Sequence, residues 1–294
     1  QTACSLRSPS WLCATAGLKP TFGLIGRSGV IPFSASCDHV GPMAWTVEDV
    51  AILLEALAGH DPGDPGSHDG AVTPFRSRLT GDLRGMRVGV IRNFWEKDLD
   101  VSAELAGAVD DALVVMKDLG ASVENVQLAS LHDYYAVRLM ITECELYAMH
   151  QGRMREHAHD YGHHFLSRCL PGCLWTAADY ITAQRHRARI IESMKLMNEI
   201  ESDIAGIIES MKPVYEKFDV LVTVGAGPAP DLNDHKKLGS ADKFLRPGMG
   251  TLFSVTGAPA LAVCCGYSKS GLPLGMQIAG RPFEDATVLA VGYA

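Results

Sequence analysis

Short apolar runs with the character of β-strands alternate with longer amphipathic stretches along most of this chain of 294 residues. The apolar runs predict strands at residues 86–91, 122–126, 218–224, 261–265 and 274–279. Helical periodicity predicts helices at residues 46–57, 102–119, 130–217, 247–256 and 284–294, with a break at Pro171-Gly172. This alternation predicts an α/β fold, in which a sheet is flanked by helices.

Charge and hydropathy argue against several classes of partner. The chain has 26 Lys and Arg against 34 Asp and Glu, a net charge of −8, whereas binding to nucleic-acid phosphates requires clustered basic residues. Its longest apolar run, residues 258–265, contains Pro259 and is far shorter than the ~20 residues of a membrane helix. The chain opens without a basic and apolar leader, and its eight cysteines form no C-x-x-C pair. We therefore predict a cytoplasmic protein with neither a nucleic-acid nor a membrane partner.

Two local patterns resemble a cofactor-binding motif and a metal site, but neither has the neighbouring residues that such a site requires. The sequence VGAG at residues 224–227 follows a predicted strand, as the glycine motif of a dinucleotide-binding fold does. That motif must lead into a helix, which Pro228 and Pro230 disfavour here. The four histidines between residues 157 and 164 lack the Cys or carboxylate spacing of a known metal site. We therefore predict no cofactor and no metal.

The first residues form a loop of small side chains that leads into a helix. Ser8-Pro9 is typical of a helix start, with Ser as the N-cap and Pro at the first helical position. Ser5 would then lie just ahead of a helix N-terminus, where backbone N–H groups can bind an anion or an oxyanion. Spacing alone provides Ser5 with no His or Asp partner.

An ordered series of motifs that spans residues 1–294 resembles the amidase signature family. In family order, the motifs are S-x-R-x-P-x3-C-x3-GLKPT from Ser5, GVIP from Gly29, D-x2-GPMA-x-TVED from Asp38, AGHDP from Ala58, LRGMRVG from Leu83, FDVLVT from Phe218, TGAPAL from Thr256, GLPLGMQ from Gly271 and GRPF from Gly280. A single GLKPT motif would be weak evidence for the family, whereas the whole set of motifs in family order is strong evidence. The resemblance implies a mixed sheet flanked by helices on both faces.

The resemblance also implies a serine hydrolase that uses a nucleophilic Ser, a bridging Ser on a cis peptide bond and a Lys. Ser5 would be the nucleophile, and the oxyanion hole would consist of the backbone N–H groups of Thr2, Ala3, Cys4 and Ser5. The bridging Ser and the Lys lie upstream in the family, so the N-terminal part of the domain is expected to be missing. The other matched motif residues are expected to be structural, namely Arg7, Pro9, Gly17, Lys19 and Asp38.

The chain departs from the family pattern at glycines in and near this loop. Where the family has D-x-G-G-S, this chain reads QTACS at residues 1–5, and Ala14 replaces a family Gly after Cys13. If the family glycines hold a positive φ, Ala3 and Cys4 would introduce strain. A degenerate relative without activity is therefore a real alternative.

The hypothesis that follows is an amidase that cleaves a small carboxamide to a carboxylate plus ammonia or an amine, through an acyl-enzyme on Ser5. Residues 1–294 would form one partial amidase domain, clipped within its last helix and without turnover by itself. Residues 130–217 would form a mostly helical region that carries substrate selectivity. Two alternatives stay open: the A subunit of a glutamyl-tRNA(Gln) amidotransferase, which passes ammonia to a partner, and a non-catalytic relative. A homodimer is also compatible with the sequence.

Overall fold

In the computed structural model, which describes residues 1–72, 74–194, 214–229 and 247–294, seven strands form one mixed sheet. The strands are β1 (Ala16–Lys19), β2 (Met43–Ala44), β3 (Arg87–Val90), β4 (Ser122–Asn125), β5 (Val220–Val224), β6 (Ala260–Tyr267) and β7 (Pro273–Gly280). Their order in the sheet is β2-β1-β6-β7-β5-β3-β4. β3 runs parallel to β4 and to β5, and the other neighbouring pairs are antiparallel. The α/β prediction is confirmed.

The helices follow the order of the predicted amphipathic stretches. They are α1 (Arg7–Cys13), α2 (Val47–Leu57), α3 (Ala103–Asp118), α4 (Leu131–His157), α5 (His163–Cys169), α6 (Ala177–Met194), α7 (Val214–Lys217), α8 (Thr251–Thr256) and α9 (Asp285–Tyr293). α2 begins where its capping residue predicts, because Thr46 Oγ1 accepts a hydrogen bond from the Asp49 N–H at 3.1 Å. No helix in the described ranges combines the length and the apolar composition that a membrane span requires.

Helices cover both faces of the sheet. Gln277 of β7 binds Arg7 of α1, whereas the next residue, Ile278, lies beside Gly292 of α9. Successive residues of a strand point to opposite faces, so α1 and α9 pack on opposite sides. β5, which is buried along its whole length, lies between β7 and β3, as expected of a continuous apolar run.

The predicted helical region 130–217 forms a layer made of α4, α5 and α6. Its predicted break lies at Pro171, in a short 3₁₀ helix over Leu170–Leu174. The buried positions of α4 include Leu131, Tyr134, Arg138 and Ile141, a spacing of three and four residues that marks its inner face. Residues 195–213 of this prediction lie outside the described residues.

The start of α1 differs from the prediction. The helix begins at Arg7 rather than after Ser8, so Pro9 occupies the third helical position. A proline is tolerated there because the N–H groups of a first turn have no acceptor within the helix. Gln1 takes the capping role, since its Oε1 accepts from the N–H groups of Leu6 at 2.9 Å and Arg7 at 3.3 Å.

The residue that ends α1 carries backbone strain. Ala14 has φ 55° and ψ 31°, in the left-handed region, which costs a residue with a Cβ about 1–2 kcal/mol. We expect Ala14→Gly to raise the free energy of unfolding by about 0.5–1 kcal/mol, because glycine removes this strain but adds unfolded-state entropy. Urea denaturation followed by circular dichroism measures the change.

The residue after α2 offers a matched control. Ala58 occupies the same position relative to its helix but has φ −72°. Ala58→Gly should therefore lower the free energy of unfolding by about 0.5–1 kcal/mol, because only the entropic cost remains. Shifts of the same sign in both variants would contradict the assignment of strain to Ala14.

Candidate active site

The loop over residues 1–6 leads into α1 and forms one wall of a cavity of about 370 Å³. Ser5 is exposed, and no hydrogen-bond partner for its Oγ is found among the described residues. The remaining lining residues come from the loop, from α1, from the segment after β1, from α4 and α5, and from the start of α8: Thr2, Ala3, Cys4, Ser8, Phe33, Arg138, Arg168, Gly248, Gly250 and Thr251. The structure therefore places the four predicted oxyanion-hole residues together at one cavity.

A fully buried arginine lies beneath this loop. The guanidinium of Arg7 donates to Ala3 O at 2.8 Å, to Gly250 O at 2.9 Å and to Ser254 Oγ at 3.0 Å, and it also binds Gln277 Oε1. All four acceptors are neutral, and burial lowers the pKa of Arg7. Arg7 thus ties the loop to β7 and to α8.

Three carbonyl groups of the loop accept hydrogen bonds, which fixes the direction of the N–H groups that follow them. Gln1 O accepts from the His39 N–H at 2.8 Å, Ala3 O from Arg7, and Cys4 O from the Ser8 N–H at 2.7 Å. In a trans peptide the C=O and the following N–H point in opposite directions. The N–H groups of Thr2, Cys4 and Ser5 therefore point away from these partners, and none of them has an acceptor among the described residues.

The expected strain at Ala3 and Cys4 is absent. Among the described residues, the non-glycine positions with positive φ are Ala14 and Phe283. Space for the Cys4 side chain comes from Gly250 instead, where an added Cβ would lie 2.6 Å from Cys4 Sγ. Burial raises the pKa of the Cys4 thiol, against the opposing effect of Arg7, so the thiol is held in its weakly nucleophilic protonated form.

Two of the other motif residues hold the neighbouring segment in place. Asp38 accepts from Thr2 Oγ1 at 2.5 Å and from the N–H groups of Phe33 and Ser34, both at 2.8 Å. Gly17 of β1 faces α1, and a Cβ there would clash with Ser10 Oγ. Both contacts position the loop relative to β1 and the segment that follows.

Lys19 lies outside the cavity wall. It is fully buried, and its Nζ donates to Pro20 O at 2.9 Å and lies 3.2 Å from His39 Nε2. The backbone carbonyl oxygen of Cys37 lies 2.8 Å from His39 Nδ1 and can only accept a hydrogen bond. Nδ1 of His39 therefore carries the proton, and Nε2 accepts a hydrogen bond from Lys19. Burial, with Arg7 second, holds the pKa of Lys19 well below its usual range.

The cavity is also lined by two arginines, which the sequence motifs did not indicate. Arg138 lies on α4 and Arg168 on α5, and both line the same cavity as the loop that carries Ser5. Arg138 occupies the apolar stripe of α4, between Tyr134 and Ile141. A charged residue at a position whose periodicity predicts burial is a signal that sequence reasoning could have used.

Among the described residues that line the cavity, no side chain can play the part of the family's lysine. The four histidines of residues 157–164 lie around the end of α4 and the start of α5. No group of three or more potential metal ligands is found in the part of the chain that the structure describes.

The chain is an α/β domain built on a mixed sheet. Its candidate site is a loop of small residues, which a buried arginine holds at the edge of a cavity. Residues 1–289 match the family described as Amidase. The chain therefore belongs to the amidase family.

Individual relatives agree with this assignment. The A subunit of the glutamyl-tRNA(Gln) amidotransferase of Chloroflexus aurantiacus is 32% identical over 316 residues, which cover 100% of this chain and 61% of the relative. A solved chain from a vestigial protein complex, which reveals the evolutionary origins of an s-triazine catabolic enzyme, is 28% identical with a TM-score of 0.82 and is covered to 60%. A bacterial aryl acylamidase of the amidase signature family, 22% identical and covered to 60%, shares the fold with a TM-score of 0.79. The chain thus spans about three-fifths of the length of these relatives.

Proposed function

We propose that the chain carries the nucleophile of an amidase, a serine hydrolase that cleaves a small carboxamide to a carboxylate and ammonia or an amine. Ser5 is the proposed nucleophile, and the N–H groups of Thr2, Ala3, Cys4 and Ser5 form the proposed oxyanion hole. The supporting observation is that an exposed Ser5 and loop N–H groups without acceptors among the described residues adjoin one cavity.

The chemistry follows from these groups. Ser5 Oγ forms a bond to the amide carbonyl carbon, and the carbonyl π electrons move onto oxygen. The loop N–H groups stabilise that oxyanion, and removing one such donor typically costs about 3–4 kcal/mol of barrier height. When the tetrahedral intermediate collapses, the C–N bond breaks, and the nitrogen leaves with the proton that Ser5 released. Water then hydrolyses the ester to the carboxylate and restores Ser5.

The proton route is part of the proposal. We assign the bridging Ser and the neutral Lys to sequence upstream of Gln1, because no lysine lines the cavity within the described residues. Lys19 is not recruited, since its Nζ is committed to Pro20 and His39 away from the cavity. On this assignment the 294 residues alone would show no turnover.

A second candidate is an amidotransferase component that delivers ammonia to a partner. It is favoured by curated relatives that are named as the A subunits of glutamyl-tRNA(Gln) amidotransferases. The two candidates share the attack by Ser5 and differ in the fate of the ammonia. A hydrolase releases ammonia into solution without any partner protein.

A fluorophosphonate probe tests the nucleophile. In the protein that includes the upstream Ser and Lys, we expect the probe to label Ser5, and mass spectrometry should map the adduct to the peptide that contains it. Cys4→Ala should leave the label on Ser5, because the raised pKa keeps the thiol protonated. A label on another residue, or none at all, would contradict the proposed role and favour the non-catalytic reading.

A further inference from the structure

We propose that the cavity beside Ser5 binds a carboxylate of the substrate through Arg138 and Arg168, so that the preferred substrates are half-amides of small dicarboxylic acids. This inference rests on the proposed amidase function and specifies the substrate class of the same site.

Arg138 is buried, but its Nε has no hydrogen-bond acceptor among the described residues. Only 7% of the residue is exposed. The guanidinium carbon lies 5.1 Å from the centre of the Tyr135 ring, which contributes a cation–π contact but accepts no hydrogen bond at Nε. Native structures pair or hydrogen-bond nearly all buried charges, so an anion at this wall would complete the site.

Among the described residues, the groups around Arg138 include a second arginine and one carboxylate. Arg168, whose guanidinium carbon lies 4.7 Å from the centre of the Phe33 ring, brings a second positive charge to the same cavity. Glu143 is a carboxylate that interacts electrostatically with both arginines, and its Oε2 accepts a hydrogen bond from Trp175 Nε1 at 2.8 Å. The thiols of Cys4 and Cys37 and the hydroxyl of Tyr135 also face Arg138 and are neutral at pH 7 because burial raises the pKa of each. Both arginines therefore bring positive charge to the wall of this cavity.

The position of the arginines relative to Ser5 defines the substrate class. Arg138 and Arg168 line the cavity of about 370 Å³ that Ser5 and the loop N–H groups also line, and no Asp or Glu lines it among the described residues. Guanidinium groups bind carboxylates with charge-assisted, often bidentate hydrogen bonds. A small molecule that presents an amide to Ser5 and a carboxylate to Arg138 would engage both groups of this cavity wall.

Succinamate and its neutral isostere succinamide test this inference, because they differ only in the carboxylate. Isothermal titration calorimetry on the 294-residue chain at pH 7 should show at least tenfold tighter binding of succinamate. Arg138→Gln should reduce the preference to twofold or less, and Arg168→Gln should reduce it in the same direction. Arg138→Lys, which keeps the charge but loses the planar fork, should retain a weakened preference.

Arg153→Gln is the matched control, because Arg153 is an exposed arginine on the same helix, α4. It should leave the preference for succinamate unchanged, and circular dichroism should show that each variant is folded. Equal binding of the two ligands by the unmodified chain would overturn the inference. A preference that survives both Arg138→Gln and Arg168→Gln would overturn it as well.

The outcome is independent of the test of the nucleophile. Ser5→Ala should keep the preference for succinamate, because the carboxylate is bound by α4 and α5. Failed labelling of Ser5 with the preference intact would remove the amidase proposal and leave a carboxylate-binding cavity. Labelled Ser5 without the preference would leave the amidase proposal and remove the half-amide substrate class.

Discussion

Replacing Ser5 by alanine is expected to lower amide turnover by roughly 10⁴-fold or more, since the variant has no atom that can form the acyl-enzyme. The remaining loop N–H groups can still polarise a bound carbonyl, so a small residual rate above that of water is expected. The measurement is release of ammonia from a small amide, without an added partner protein, by the protein that includes the upstream Ser and Lys.

Ser77→Ala is the matched control for this substitution. Ser77 lies in an exposed 3₁₀ turn, where its Oγ donates to Pro74 O at 3.3 Å, and it is absent from the cavity wall. Its substitution should change turnover by less than about twofold. If Ser5→Ala keeps turnover within about tenfold of the unmodified protein, Ser5 is not the nucleophile, and another group at the cavity must be sought.

The fold could be predicted from the sequence wherever a segment's own pattern determines its structure. The run at residues 218–224 has the continuous apolar character of a central strand, and β5 occupies the interior of the sheet. The capping residue of α2 likewise fixes the start of that helix locally. β1 and β2 were not predicted, because they are only four and two residues long. β1 contains Gly17, and β2 directly follows Pro42, so neither segment has a clear strand pattern. Both strands form through pairing with segments that are distant in sequence.

The candidate site was predicted only in part, for a similar reason. The resemblance singled out the loop at residues 1–5 and Arg7, which are contiguous in sequence. The partner of Arg7 on β7, Gln277, is 270 residues away, and nothing in either segment specifies that the two meet. Arg138 and Arg168 join the cavity through the packing of α4 and α5, which is a tertiary feature. A polar residue within an apolar strand and a charged residue within an apolar helix stripe were the available local signals.

Replacing Arg7 by methionine is expected to lower the free energy of unfolding by about 2–4 kcal/mol, because each buried acceptor that is left without a donor costs about 1–3 kcal/mol. Methionine has a similar length but donates no hydrogen bond, so Gln277 Oε1 and the carbonyl oxygens of Ala3 and Gly250 would lose a charged donor. Ser254 Oγ can still donate to one of these carbonyls, at 2.5 Å or 2.9 Å, which limits the loss. Removing a charge that is costly to bury offsets part of the loss but does not reverse it, because four hydrogen bonds disappear together.

Urea denaturation of the 294-residue chain, followed by circular dichroism, measures this effect. Arg84→Met is the matched control, because the side chain of Arg84 is 83% exposed and its ion pair with Asp82 lies at the surface, where such pairs contribute less than about 1 kcal/mol. Arg7→Lys should give an intermediate loss, since an ammonium group keeps the charge but cannot reach all the acceptors of the planar guanidinium. A loss below about 1 kcal/mol in Arg7→Met would mean that the loop is held by the contacts of Gln1, Asp38 and Ser8, and that Arg7 does not anchor it.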